Sequence, residues 1–111
     1  MNIRVVDYIG DRATDMKQGD KIYNLIREGF KKNDVVHVDF SGMTTILSTF
    51  LNNAIGTLYK DFSSQFLNEN LKTENLCEDD MFILRCVVKR AKEFYDDQQA
   101  ITSVLDLDIS E

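Results

Sequence analysis

An α/β fold, with a small and mostly parallel sheet that carries helices, is what this 111-residue sequence predicts. Three observations carry the expectation. Two short runs rich in β-branched residues (2–8 and 35–40) and a third, weaker run in which Leu71 and Thr73 alternate with Lys72 and Glu74 (71–76) are interleaved along the chain with apolar stripes at helical spacing. The middle run, VVHVDF, is bounded by Asn33-Asp34 and Ser41-Gly42, which marks a short strand set into a sheet. The length suits one core of ordinary domain size.

The first run, NIRVVDY, alternates Ile3, Val5 and Asp7 against Arg4, Val6 and Tyr8, and reads as a strand near a sheet edge. Residues 10–19 (GDRATDMKQG) are polar and hold two glycines, so they read as a connection with no assigned element. From Asp20, Ile22, Leu25, Ile26 and Phe30 follow helical spacing, and the helix is expected to end near Gly29, with Lys31 and Lys32 favourably placed against its dipole. VVHVDF is expected at the sheet centre, covered on both faces. Leu47, Phe50, Leu51, Ala54, Ile55, Leu58 and Phe62 form the next helical stripe, with Thr44 or Thr45 as its cap. Phe66 and Leu67 read as a short helical coda, and residues 71–76 as a third strand. The last helix carries Met81, Leu84, Val87, Val88, Ala91 and Phe94 as its apolar stripe. Acids stand at its start and bases near its end, with Asn75 and Glu78 at capping-box spacing. Strand and helix alternate three times, which implies right-handed crossovers.

Charge divides the chain. Residues 1–95 hold 14 acids and 13 bases, whereas residues 96–111 hold five acids and no base, so a domain over 1–95 and an acidic C-terminal tail over 96–111 are expected. A nearly neutral body with an acidic tail offers no counterion-release drive toward nucleic acid and would be repelled by anionic lipid, which leaves proteins as the expected partners. The N-terminal residues lack the apolar centre of a signal peptide, and no apolar run approaches membrane-spanning length, so the expected location is cytoplasmic. Cys77 and Cys86, nine residues apart, lack metal-ligand or disulfide-scaffold spacing and read as reduced thiols.

Candidate chemistry concentrates in residues 39–49, DFSGMTTILST, which join the carboxyl end of the central strand to a helix start, where ligands and regulatory groups collect in open α/β sheets. A phosphate on Ser48 or Thr49 would meet free amides and the positive dipole end, although hydroxyls at such positions more often simply cap. His37, Asp39 and Ser41 invite a hydrolase reading. Alternate residues on one strand stand side by side, however, and a nucleophile needs its base between itself and the orienting acid. No phosphate-cradling glycine motif occurs, and neither a metal site nor a cofactor is expected.

The residues Val38-Asp39-Phe40-Ser41-Gly42-Met43, followed by Ser48-Thr49-Phe50 and a helix through Ala54, Ile55 and Gly56, resemble the sulfate-transporter and anti-sigma-factor-antagonist (STAS) domains. More closely they resemble the bacterial STAS-like domain of unknown function, whose pattern runs strand, Asp-Phe-Ser-Gly-Val, short turn, Ser-Phe, helix. The resemblance covers roughly residues 1–95. It implies a layered α/β sandwich, no intrinsic catalysis, and a partner-binding surface at Ser41, Gly42, Met43, Thr44, Thr45 and, on the next helix, Asn52. In the anti-sigma antagonists that partner is a GHKL-type serine kinase, and STAS-like genes often stand beside genes for histidine-kinase-like ATPases. Ser48 falls where the antagonists carry the phosphoacceptor, and Thr49 where a second hydroxyl follows. Leu47 replaces their preceding acid, and Phe50 replaces a small glycine, as in the STAS-like group. The expected function is therefore a non-enzymatic regulatory or signalling domain that binds a GHKL-type ATPase or kinase, with Ser48 and Thr49 as phosphoacceptor candidates. The alternative is a structural or oligomerisation module of a multi-gene bacterial defence or stress system.

Overall fold

A computed structural model describes the backbone of residues 1–106 and the side chains of residues 1–95. Three parallel strands, β1 (Asn2–Arg4), β3 (Val36–Asp39) and β5 (Leu71–Glu74), form a sheet in the order β1-β3-β5. The central strand and the edge position of β1 are as the sequence predicts. Register aligns Arg4 with Asp39, and Asp39 with Glu74, so a charged residue from each strand meets at the carboxyl end.

Helices cover only one face of this sheet. Ile3, Val36 and Val38 are fully buried on it, whereas Arg4 and Glu74 on the other face are exposed and His37 and Asp39 only half-buried. The expectation that VVHVDF is covered on both faces is thus corrected: its alternation of valine with His37 and Asp39 is that of a strand with one dry side. The first strand is also shorter than predicted. After Arg4 the chain turns into α1 (Val5–Ile9), ended at Gly10, whose φ of +81° favours glycine. Val5 is buried and Ile9, one turn later on the same side, packs against the core, so burial overrides the β preference of the two valines.

The segment without an assigned element contains β2 (Arg12–Ala13), and α2 (Met16–Lys31) starts four residues before Asp20. Asp15 caps α2 by accepting from the Gln18 amide at 2.9 Å, while the Gln18 side chain accepts from the Asp15 amide at 3.2 Å. β2 pairs in parallel with β4 (Thr45–Ile46) to make a second, two-stranded sheet.

The following helical stretch is one path in three parts: α3 (Ser48–Leu51), a π-helical turn (Asn52–Gly56) and α4 (Leu58–Asp61). The π turn is closed by the Thr57 amide donating to the Asn52 carbonyl at 3.0 Å. Phe50, Leu51, Ala54, Ile55 and Leu58 are buried as the stripe predicts, but Leu47 is 45% exposed. It precedes the helix in extended conformation and so does not share the helix's buried face. α5 (Ser64–Asn70) is capped by Ser63 and brings Phe66 and Phe62 against Phe30 at ring separations of 5.0 and 5.1 Å.

The last helix, α6 (Glu78–Asp106), buries Val87 and Ala91, while Met81 and Phe94, predicted within its stripe, are exposed. Ile83, Leu84, Val88 and Tyr95 pack half-buried against the core beside Val87 and Ala91. The predicted capping box at Asn75 does not form, because Asn75 takes a left-handed φ of 63° and turns its side chain to Asp39. The α6 backbone continues through residues 96–106, and what the acidic and apolar side chains of 96–111 do lies outside the described residues.

Candidate functional site

The candidate site starts at Asp39, the last residue of the central strand. Its Oδ1 accepts from the Ser41 amide at 2.9 Å and from Asn75 Nδ2 at 2.8 Å, and these bonds hold the carboxyl below its ordinary pKa of 3.8. The Asn75 bond has the larger effect. One carboxylate therefore ties the start of the turn to the connection between β5 and α6. Arg4 Nε approaches Ser41 Oγ at 3.4 Å, and Arg4 Nη1 pairs with Asp7 at 3.0 Å. That pair is half exposed on both sides, worth no more than about 1 kcal/mol.

The turn then reverses sharply. The Met43 amide donates to the Phe40 carbonyl at 3.2 Å, and Gly42 takes φ +82°, the conformation a type II turn requires at that position. Downstream the chain is stitched to the segment before α2: the Thr44 amide and hydroxyl both donate to the Asp11 carbonyl, at 2.8 and 3.1 Å, and the Leu47 amide donates to the Ala13 carbonyl at 2.9 Å. Thr44 is occupied by these contacts and Thr45 lies in β4, so neither caps the helix; α3 begins at Ser48 with no side-chain cap, which corrects the prediction that one of the two would cap it.

Ser48 and Thr49 are exposed on this first turn, beside exposed Leu47 and directly before buried Phe50 and Leu51. Gly42, Thr44 and Asn52 are exposed, and Ser41, Met43 and Thr45 half-buried. Ser48 and Asn52, four residues apart, share a helix side. The side chain of Asn53 instead turns inward, donating to the Met16 carbonyl at 3.2 Å and to Asp20 Oδ1 at 2.9 Å, and so locks the helix after the turn onto α2.

His37, Asp39 and Ser41 do not form a relay. His37 Nδ1 lies 2.8 Å from Glu74 Oε2 on the neighbouring strand, and the Ser41 contact to Asp39 is made by its backbone. On the open face of the sheet, Arg4, Asp7, Asp39 and Glu74 line a shallow pocket of about 350 Å³. Among the described residues no group of three or more potential ligands could hold a metal ion, and no helix is long and apolar enough to cross a membrane.

Arg4, Asp11 and Asn75 shape this site without having been singled out for it, because each acts on residues more than thirty positions away. A family model described as a STAS-like domain of unknown function matches residues 18–81, more than half of the chain. The chain belongs to that family. The matched stretch of this STAS-like domain runs from the capping residue Gln18 through the turn and the whole helix after it to the first turn of α6. No curated protein and no solved structure matches the chain.

Proposed function

We propose that this STAS-like chain is a regulatory module without catalysis of its own, which docks on a partner protein, a GHKL-type ATPase or kinase, through the 41–49 turn and the exposed side of the helix after it. The observation that supports it is the exposure of Leu47, Ser48 and Thr49 as one group on a turn fixed from both sides by Asp39 and Asp11. A rigid turn loses little conformational freedom when it binds, and an exposed leucine beside two hydroxyls supplies an apolar contact with polar neighbours. Phosphorylation of Ser48 would add about two negative charges at the edge of that contact and regulate it.

The test uses a purified GHKL-type ATPase from the same organism as this chain. Leu47→Asp and Ser48→Glu are expected to weaken its binding at least tenfold, by roughly 1.4 kcal/mol or more, with Ser64→Ala unchanged. Incubation with ATP and that protein is expected to add one phosphate, lost in Ser48→Ala. Unchanged affinity in both turn variants would overturn the docking site, and the absence of a mass gain would remove the phosphorylation step alone. A second reading, self-assembly, draws on Phe82 and Phe94, which α6 leaves 64% and 60% exposed. Sedimentation velocity decides it, since a monomer across the accessible concentrations excludes that reading.

A further inference from the structure

β5 ends the three-stranded sheet: it pairs with β3 on one side and with no described element on the other. The Phe40 amide donates to the Glu74 carbonyl at 2.9 Å. Backbone groups alternate sides along a strand, so Lys72 and Glu74 turn theirs toward β3, and Thr73 turns its amide and carbonyl to the free edge. The open ladder is short. The Leu71 amide is taken by the Leu67 carbonyl of α5, and Asn75, at φ 63°, turns the chain off the line of the strand, so Glu78, Asp79 and Asp80 belong to α6 and not to the ladder.

The charges on this edge are their own complement. Lys72 and Glu74 are exposed and, two residues apart, project from one face of the sheet, the open face that carries His37 and Asp39. When a second copy of β5 runs antiparallel with Thr73 opposite Thr73, Lys72 of each copy stands opposite Glu74 of the other, twice by symmetry. The two threonines then exchange two backbone hydrogen bonds, and the charged pairs fall at the closer positions of the ladder, where Cα atoms approach to about 4.5 Å. Sliding the strands by two residues sets Lys72 against Lys72 or Glu74 against Glu74, so the same charges fix the register. Both side chains are free to make the exchange at the rim: Lys72 Nζ donates to the Asn68 carbonyl at 2.7 Å, and Glu74 Oε2 lies 2.8 Å from His37 Nδ1, which leaves the other carboxylate oxygen for a second donor. The opposite edge has no such complement, since β1 carries one charge, Arg4, already paired with Asp7.

We propose that two copies of the chain join edge to edge through β5, antiparallel about Thr73, and make one six-stranded sheet. A four-residue ladder buries less than the roughly 1,000 Å² of a stable interface, so the association is weak and reversible.

The test is sedimentation equilibrium of the full chain up to about 1 mM, with the edge charges reversed one at a time and together. The parent is expected to dimerise, and Lys72→Glu and Glu74→Lys are each expected to weaken the dimer at least tenfold, because each puts like charges opposite one another twice. An equimolar mixture of these two variants is expected to recover the parent's affinity as a heterodimer, and the double variant Lys72→Glu/Glu74→Lys to recover it alone. That recovery is one a misfolded variant could not give. A parent that stays monomeric up to about 1 mM overturns the proposal, and so does a dimer that neither reversal weakens. Single variants that are weakened with no recovery in the mixture or in the double variant overturn it as well, by removing the Lys72–Glu74 pairing. A dimer indifferent to the reversals and lost in Phe82→Ser assigns self-association to α6 instead.

Discussion

Asp39 shows how much a single carboxylate can organise when its partners come from distant parts of the chain. Bonds from the Asn75 side chain and the Ser41 amide favour its ionised form and lower its pKa. In the unfolded chain the same carboxyl titrates at its ordinary value, so between the two values the unfolded state binds the proton and the folded state does not. The stabilisation is complete above the unfolded value and disappears as pH falls through the folded one. Asn75→Gly keeps the left-handed backbone at φ 63° and removes the larger of the two bonds. Its melting temperature is expected to lie below that of the parent near neutrality, and the gap should close as pH drops below about 3.8. Melts recorded from neutral pH into the acid range check this, and a gap that stays constant would show that the bond acts without the charge. Part of this arrangement is legible in the sequence. Alternation along VVHVDF puts His37 and Asp39 on one face, but nothing local announces that Asn75, 36 residues later, will turn away from the helix it precedes.

At the scale of elements, spacing predicts what packing confirms wherever one helix or strand has a face of its own. The stripes of α2 and of the helix after the turn survive almost intact, whereas the boundaries move. Gly10 and Gly19 make residues 10–19 read as a loop, yet Asp15 and Gln18 already stand at capping-box spacing, and Gly19 lies inside α2 for a reason that is not local. A Cβ on Gly19 would come within 2.6 Å of Asn53 Cβ and 2.8 Å of the Phe50 carbonyl oxygen, so the glycine lets α2 cross the α3 backbone at close range. In an isolated helix Gly19→Ala would stabilise by about 1 kcal/mol. Here the backbone oxygen cannot yield as a side chain would, and the substitution is expected to destabilise by about 2 kcal/mol, lowering the melting temperature by roughly 10 °C. Thermal unfolding followed by circular dichroism measures it, and a rise in midpoint would show that the two segments part without cost. Such a contact joins residues more than thirty positions apart, so sequence periodicity sees only a glycine where a helix would prefer alanine.

Seen whole, the molecule is a one-sided sheet with α2 against its central strand, the helix after the turn packed on α2, and α6 packed on the helix after the turn. That arrangement explains why the regulatory candidates lie where they do. The turn leaves the carboxyl end of the central strand and must climb past the sheet rim, which holds Ser48 and Thr49 in solvent while Phe50 enters the core at 0% exposure. The same geometry divides the described chain by burial. Every buried apolar residue of the described core lies at or before Ala91, and α6 then continues to Asp106 with the sequence's five unbalanced acids falling at and after Asp96. A chain ending at Tyr95 is therefore expected to keep a single cooperative unfolding transition with a midpoint within about 5 °C of the parent, since a change of 1 kcal/mol shifts a domain of this size by about that much. A fall well beyond that range would mean that residues 96–111 hold the body together and that the domain does not end where the charge changes. If the midpoint holds, the acidic stretch is left available for interaction. Removing it should then alter ATPase binding or self-association without altering stability, a separation that calorimetry and sedimentation on the same truncated chain can measure side by side.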